Sequence, residues 1–174
     1  MSMTSSPDTS APRRHLLAAL AVGALLAGCA SKRPAPAARG RLALHPAGRE
    51  ASVAQAMLLV NTPYRYGGNT PEGGFDCSGL VHYVYGQVAA GAARLPRSTA
   101  QWAAATTPVS EAALQRGDLV FFNTTGTPFS HMGIYVGGDQ FVHAPSTGGT
   151  VRRDRLDNRY FAPRYLGARS VFAV

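Results

Sequence analysis

What the chain has little of narrows it before any motif is read. Its 174 residues hold two cysteines, one tryptophan and nine acidic residues, and Lys32 is the only lysine among 17 basic residues. Two cysteines cannot build a disulfide framework. Together with His45, His82, His131 and His143 they show no zinc-ligand spacing, so neither a metal nor another cofactor is expected. No apolar run is long enough to span a bilayer, and no internal repeat is present. The formal charge of +8 comes without zinc-finger spacing, a basic helix or an aromatic RNA-binding motif, so nucleic acid is not an expected partner. The arginines are spread rather than blocked, which favours anionic surroundings such as phospholipid head groups or acidic wall polymers. With 45% hydrophobic and 15% charged residues, the composition is that of one globular domain with one core, expected to be a monomer.

The first of the two cysteines closes an export signal. Arg13, Arg14 and His15 precede an apolar run from Leu16 to Ala27, long enough for a signal-peptide core. A core helix is the competing reading, but the run has no polar face and a Pro-rich flank follows it. It ends in Leu26-Ala27-Gly28-Cys29, which resembles the lipobox of bacterial lipoproteins. That resemblance implies removal of residues 1–28, acylation of Cys29, and a membrane attachment through the lipid. The paired Arg13-Arg14 also resembles a twin-arginine signal, weakly. Residues 29–48, rich in Ala, Pro and Arg, read as the lipidated cysteine and a flexible tether, and residues 49–174 as the domain. Since Ala30 rather than Asp follows the cysteine, lipoprotein sorting patterns imply the periplasmic face of the outer membrane.

The second cysteine organises the rest. Phe75-Asp76-Cys77-Ser78-Gly79-Leu80-Val81 follows Tyr64-Arg65-Tyr66-Gly67-Gly68-Asn69-Thr70-Pro71-Glu72-Gly73-Gly74, a stretch too dense in turn formers for a regular element. Leu80, Val81, Val84 and Val88 then recur on one face of a helix that Cys77 opens and Asp76 caps. A thiol at a helix N-terminus meets free N–H groups and the positive end of the macrodipole, which lower its pKa and favour the thiolate. A Cys29–Cys77 disulfide and an inert buried Cys77 are the alternatives.

Before Cys77, Val53, Ala56, Met57 and Val60 predict a helix over Ser52–Val60, and after it Ser98 and Gln101 form a capping box for a short helix carrying Trp102 into the core. The pattern then alternates. Asp118–Phe122, Met132–Val136, Gln140–Ala144 and Tyr165–Val174 predict strands, the middle two a hairpin around Gly137-Gly138-Asp139. Helices first and strands second make an α+β domain, its antiparallel sheet packed on the cysteine helix. Arg152, Arg153, Arg155, Arg159, Arg164 and Arg169 read as a solvated basic face.

A cysteine nucleophile needs a base and a group that orients the base. His131 and His143 sit on the two strands of the predicted hairpin, directly across from one another in one register and diagonal in the next; in either, one imidazole can bond the other.

Tyr64-Arg65-Tyr66-Gly67-Gly68, Phe75 to Val81, Leu95-Pro96-Arg97-Ser98-Thr99-Ala100-Gln101, Gly117 to Phe122, Ser130 to Gly137 and Phe141-Val142-His143-Ala144 together resemble the NlpC-type bacterial cell-wall peptidases, in unbroken order from about Ser52 to Val151. The resemblance implies a compact papain-like fold, hydrolysis of amide bonds in peptidoglycan stems or cross-links, and a triad of Cys77 as nucleophile, His131 as base and His143 as the orienting member. It implies Tyr64 as an oxyanion donor beside the Cys77 N–H, with Tyr66 as the alternative, and Ser78, Arg97 and Gln101 as residues facing the substrate. An acyltransferase or amidase on the same fold, and a wall-binding lipoprotein without turnover, are the rival functions.

Overall fold

The computed structural model describes residues 41–89, 91, 94–146 and 149–173; the signal segment 1–28, Cys29 and the tether up to residue 40 lie outside the described residues. Residues 41–48, assigned by composition to the tether, belong to the domain instead. The Leu44 N–H donates to the Val171 carbonyl at 2.8 Å, the Leu42 N–H donates to the Ala105 carbonyl at 2.7 Å, and the Ala173 N–H returns to Leu44 at 2.8 Å. Both leucines pack on the core. They are spaced two apart among Ala, Arg and Pro, a pattern too short to register as a strand.

Helix α1 spans Gly48–Leu58, starting four residues earlier than its apolar spacing predicts, and buries Ser52, Val53 and Ala56. The turn-rich stretch that follows is not wholly irregular. Two-residue strands β1 (Asn69–Thr70) and β2 (Gly74–Phe75) pair antiparallel inside it, Asn69 opposite Phe75. Helix α2 runs Cys77–Val88 and buries Leu80, Val81, Val84 and Tyr85. Helix α3 (Thr99–Ala105) is capped by the Ser98 hydroxyl, which accepts the Gln101 N–H at 3.3 Å, and Trp102 is fully buried.

Strands β3 (Thr107–Val109), β4 (Leu119–Phe122), β5 (His131–Gly137), β6 (Gln140–His143), β7 (Arg152–Arg155) and β8 (Tyr165–Ser170) form one antiparallel sheet in the order β3-β8-β4-β5-β6-β7. Along β4 the side chains alternate between two apolar layers, as a pleat requires. Leu119 and Phe121 join the core with α1, α2 and α3, while Val120 and Phe122 join a second cluster with Phe141, Phe161 and Ala168. The two strands missing from the sequence reading, β3 and β7, are the sheet's edges. One carries Pro108 and the other is Arg152-Arg153-Asp154-Arg155, the proline and charge that protect an edge from further pairing and remove the alternating apolar signal.

One buried ion pair ties the layers together. Asp118, with no exposed surface, accepts from Arg49 Nη1 at 2.8 Å and from the Gln115 N–H at 2.9 Å. Arg49 also donates to the Ser170 hydroxyl at 3.0 Å and lies over the Phe172 ring, which joins α1 to the loop before β4 and to the end of β8.

Candidate active site

The start of α2 is fixed by one carboxylate. Asp76 caps the helix by accepting the Gly79 N–H at 2.7 Å and the Ser78 hydroxyl at 3.0 Å, and it also holds the preceding loop through the Gly67 N–H at 2.9 Å. That loop lies directly on the first helical turn. A Cβ at Gly79 would sit 1.9 Å from the Gly68 carbonyl oxygen, so no other residue fits there without displacing backbone. Cys77 is thereby held between the loop and β5. The backbone N–H groups of Ser78, Met132 and Cys77 itself favour its thiolate, and Met132 is the residue next to His131.

His131 opens β5 and His143 closes β6. The pairing of Ile134 with Val142 sets His143 opposite Gly133 and therefore diagonal to His131, the second of the two registers open from sequence. The geometry joins the rings: His131 Nε2 lies 2.8 Å from His143 Nδ1, with the ring planes at 82°. Gly133 makes room for this crossing. A Cβ there would meet the Phe141 ring at 2.7 Å, the Val142 carbonyl at 2.8 Å and the His143 Cβ at 3.2 Å. Phe122, Phe141 and Phe161 surround the two imidazoles.

This apolar setting decides the charges. Burial pushes His131 down to about 3 and lowers His143 as well, the latter against the pull of Asp154. Burial also dominates at Cys77. Its thiol is pushed up to about 11, aided by the Asp76 carboxylate and opposed by the three N–H groups. The Cys77 thiol is thus shifted upward rather than downward as its helix-start position leads one to expect, because desolvation of the sulfur outweighs the helix end. The resting site holds a neutral thiol and two neutral imidazoles, and among the described residues no hydrogen bond joins the sulfur to His131.

Tyr64 is half-buried against the same core cluster as Cys77, bound through its N–H to the Gly149 carbonyl and bridged to Phe75. Burial, then the neighbouring Cys77 and Asp76, raise its pKa, so it keeps its proton and can donate. Tyr66, by contrast, is 89% exposed. Ser78 and Arg97 line a small cavity of about 210 Å³ with Gly67, Gly68, Asn69 and His82. With the Asn69 amide turned so that its oxygen faces Arg97, the guanidinium donates to it at 3.0 and 3.2 Å. Gln101 is not in that lining. Its side-chain carbonyl accepts the Arg97 N–H at 2.9 Å, closing the α3 cap one residue earlier than a capping box would.

Two residues of this site escape the sequence reading. His143 Nε2 lies 2.8 Å from Asp154 Oδ2, and Arg152 Nε donates to the same oxygen at 2.9 Å. The one signal for them is a single carboxylate among three arginines, which reads more simply as a solvated face. A cavity of about 560 Å³ reaches His131 beside this group, lined also by Thr124, Thr125, Ser146, Tyr160 and Phe161. Among the described residues no three His, Cys, Asp or Glu side chains converge as a metal ion would require. The arrangement is suited to nucleophilic chemistry on a carbonyl group, with proton transfer through a fixed imidazole pair.

Comparison with known proteins points the same way. Residues 61–170 match the profile described as the NlpC/P60 family. The probable endopeptidase NlpC of Escherichia coli (strain K12) is 40% identical over 148 residues, 84% of this chain and 93% of that protein. Murein DD-endopeptidase MepH of the same organism is 39% identical over 118 residues, 66% of this chain and 43% of its own length. The chain spans less than half the length of that and several other curated relatives. Among solved structures, the NlpC/p60 domain of the peptidoglycan hydrolase SagA superposes with a TM-score of 0.59 at 36% identity, covering 70% of this chain and 97% of that one.

Proposed function

The chain belongs to the NlpC/P60 family, and from that premise we propose that it is a cysteine endopeptidase hydrolysing amide bonds in the peptide stems or cross-links of peptidoglycan. The observation that carries this reading is the buried 2.8 Å bond between His131 and His143, on the strand whose next residue, Met132, lends its backbone N–H to the Cys77 thiolate. The names of the similar proteins, a murein endopeptidase and a peptidoglycan hydrolase, supply the substrate class. The net charge of +8 suits an anionic wall polymer.

His131 Nε2 is engaged by His143, which leaves Nδ1 to act as base. As Cys77 Sγ bonds to the amide carbon, its proton passes to Nδ1 and the carbonyl electron pair moves onto oxygen. The Cys77 N–H and the Tyr64 hydroxyl stabilise that oxyanion. The carbon–nitrogen bond then breaks, its electron pair taking the same proton from His131, and the amine leaves. Water attacks the thioester while His131 takes one of its protons, and return of that proton to sulfur restores the thiol and releases the carboxylic acid, which loses its remaining proton to solvent. His143 orients the base, and Ser78 and Arg97 contact the stem peptide.

We further propose that Cys29 is acylated after removal of residues 1–28 and anchors the domain to the cell envelope, at the periplasmic face of the outer membrane. The lipobox-like Leu26-Ala27-Gly28-Cys29, with Ala30 behind it, supports this.

Release of dye from labelled peptidoglycan sacculi tests the activity. Wild type should release it, while Cys77→Ala and His131→Ala should not; release by Cys77→Ala would refute the nucleophile. For the anchor, the wild-type protein should partition with membranes and Cys29→Ser should not, and a wholly soluble wild type would refute it.

A further inference from the structure

We propose that Asp154 is a positioning residue that, acting through His143, fixes the tautomer in which His131 offers an unprotonated Nδ1 to Cys77. The proposal rests on the reading above that Cys77 and His131 carry the chemistry. An ionised carboxylate can only accept hydrogen bonds. The Asp154 carboxyl is held below the usual range by its bond to His143 and by Arg152, against some burial, so it remains ionised around neutral pH. Facing it at 2.8 Å, His143 Nε2 must carry the proton. Burial keeps His143 neutral, and a neutral imidazole has one N–H, so His143 Nδ1 is an acceptor. The 2.8 Å contact between that atom and His131 Nε2 then needs its donor on His131. The proton of a neutral His131 is thus on Nε2, and its Nδ1 carries the lone pair that a base requires. Among the described residues Asp154 makes no hydrogen bond to Cys77 or His131, yet it settles which nitrogen of His131 is free.

The neighbour of Asp154 sharpens the case. Arg152 Nε donates to the same oxygen, Oδ2, that His143 uses. If the carboxylate is removed, His143 Nε2 is left beside a group that can only donate. The chain of bonds can then reverse: Nε2 of His143 accepts, its Nδ1–H donates to His131 Nε2, and the His131 proton moves to Nδ1. That nitrogen can no longer take the proton of the thiol. Asparagine is the informative contrast, because its carbonyl oxygen can occupy the Oδ2 position and still accept from both His143 and Arg152.

The test is ¹⁵N NMR of the full chain with labelled histidine, near neutral pH, beside kcat and KM on soluble muropeptides. In wild type, both His131 and His143 should show Nε2–H and pyridine-like Nδ1. Asp154→Ala should give His131 a population with Nδ1–H and lower kcat roughly 10- to 10⁴-fold, the range from partial to complete loss of the productive tautomer, with KM little changed. Asp154→Asn should restore both the wild-type tautomer and most of kcat. A wild-type His131 protonated on Nδ1 would overturn the proposal, as would an Asp154→Ala protein with wild-type tautomers and kcat. If the tautomers behave as stated but no hydrolysis depends on Cys77, the relay stands and the peptidase reading fails, so the two are told apart.

Discussion

Cys77 meets two opposing fields, the N–H groups of a helix start that favour a thiolate and an apolar setting that disfavours it, and the second is the larger. With its pKa raised to about 11 rather than lowered, the thiol is mostly protonated at neutral pH, and the thiolate fraction grows only as pH approaches that value. Alkylation by iodoacetamide, followed on the Cys29→Ser protein so that Cys77 is the sole thiol, should therefore keep climbing above the ordinary cysteine value of about 8.5. A plateau already reached below neutral pH would mean a preformed ion pair with His131. Tyr64 answers to a different readout. Loss of one oxyanion donor costs roughly 10² to 10³ in turnover, so Tyr64→Phe should lower kcat by that factor with little change in KM. Tyr66→Phe, at a side chain 89% exposed, should have little effect; the reverse outcome would move the donor role to Tyr66.

The β5–β6 hairpin is the element that makes two histidines into one unit, and it has its own signature in acid. Both imidazoles are lowered by burial, His131 to about 3, whereas in the unfolded chain they titrate near 6.5. Below about pH 6.5 the unfolded state takes up protons that the folded state refuses. Stability is then full above that pH and falls as the pH drops toward 3, by about 1.4 kcal/mol per pH unit for His131, with His143 adding to the loss in the same direction. Urea midpoints measured between pH 7 and pH 5 should show this loss, and His131→Gln should flatten it; an unchanged slope would mean that His131 is not buried neutral. The hairpin itself was legible in sequence, since glycines and alternating apolar residues mark it, and so was α2, whose Leu80, Val81 and Val84 fall on one face. Its register was not, because a bulge near the turn decides it. Nor were β3, β7 and the Leu42–Leu44 segment, which lie where pairing partners rather than local pattern create order. Asp154 went unseen for that reason: its bond into the site is to His143, eleven residues away and on the neighbouring strand.

On the scale of the whole molecule, the Arg49–Asp118 pair spans α1, the loop before β4 and the end of β8, with Asp118 wholly buried. Removing one partner of such a pair leaves an uncompensated charge in the interior, at about 3–5 kcal/mol. Arg49→Ala should thus lower the urea-unfolding free energy by that amount without altering KM, whereas a loss under about 1 kcal/mol would mean that the pair behaves as a surface one. The domain so assembled sets the thiol start of α2 against the histidine end of the sheet, and the account depends on whether that thiol cleaves wall peptides. The direct measurement is mass analysis of the products when purified peptidoglycan is incubated in ¹⁸O-labelled water with wild-type protein and with Cys77→Ala. The account predicts new peptide fragments from wild type only, each pair comprising a free amine and a carboxylate that has gained one heavy oxygen. Identical fragments from Cys77→Ala, or no fragments from either, would contradict it.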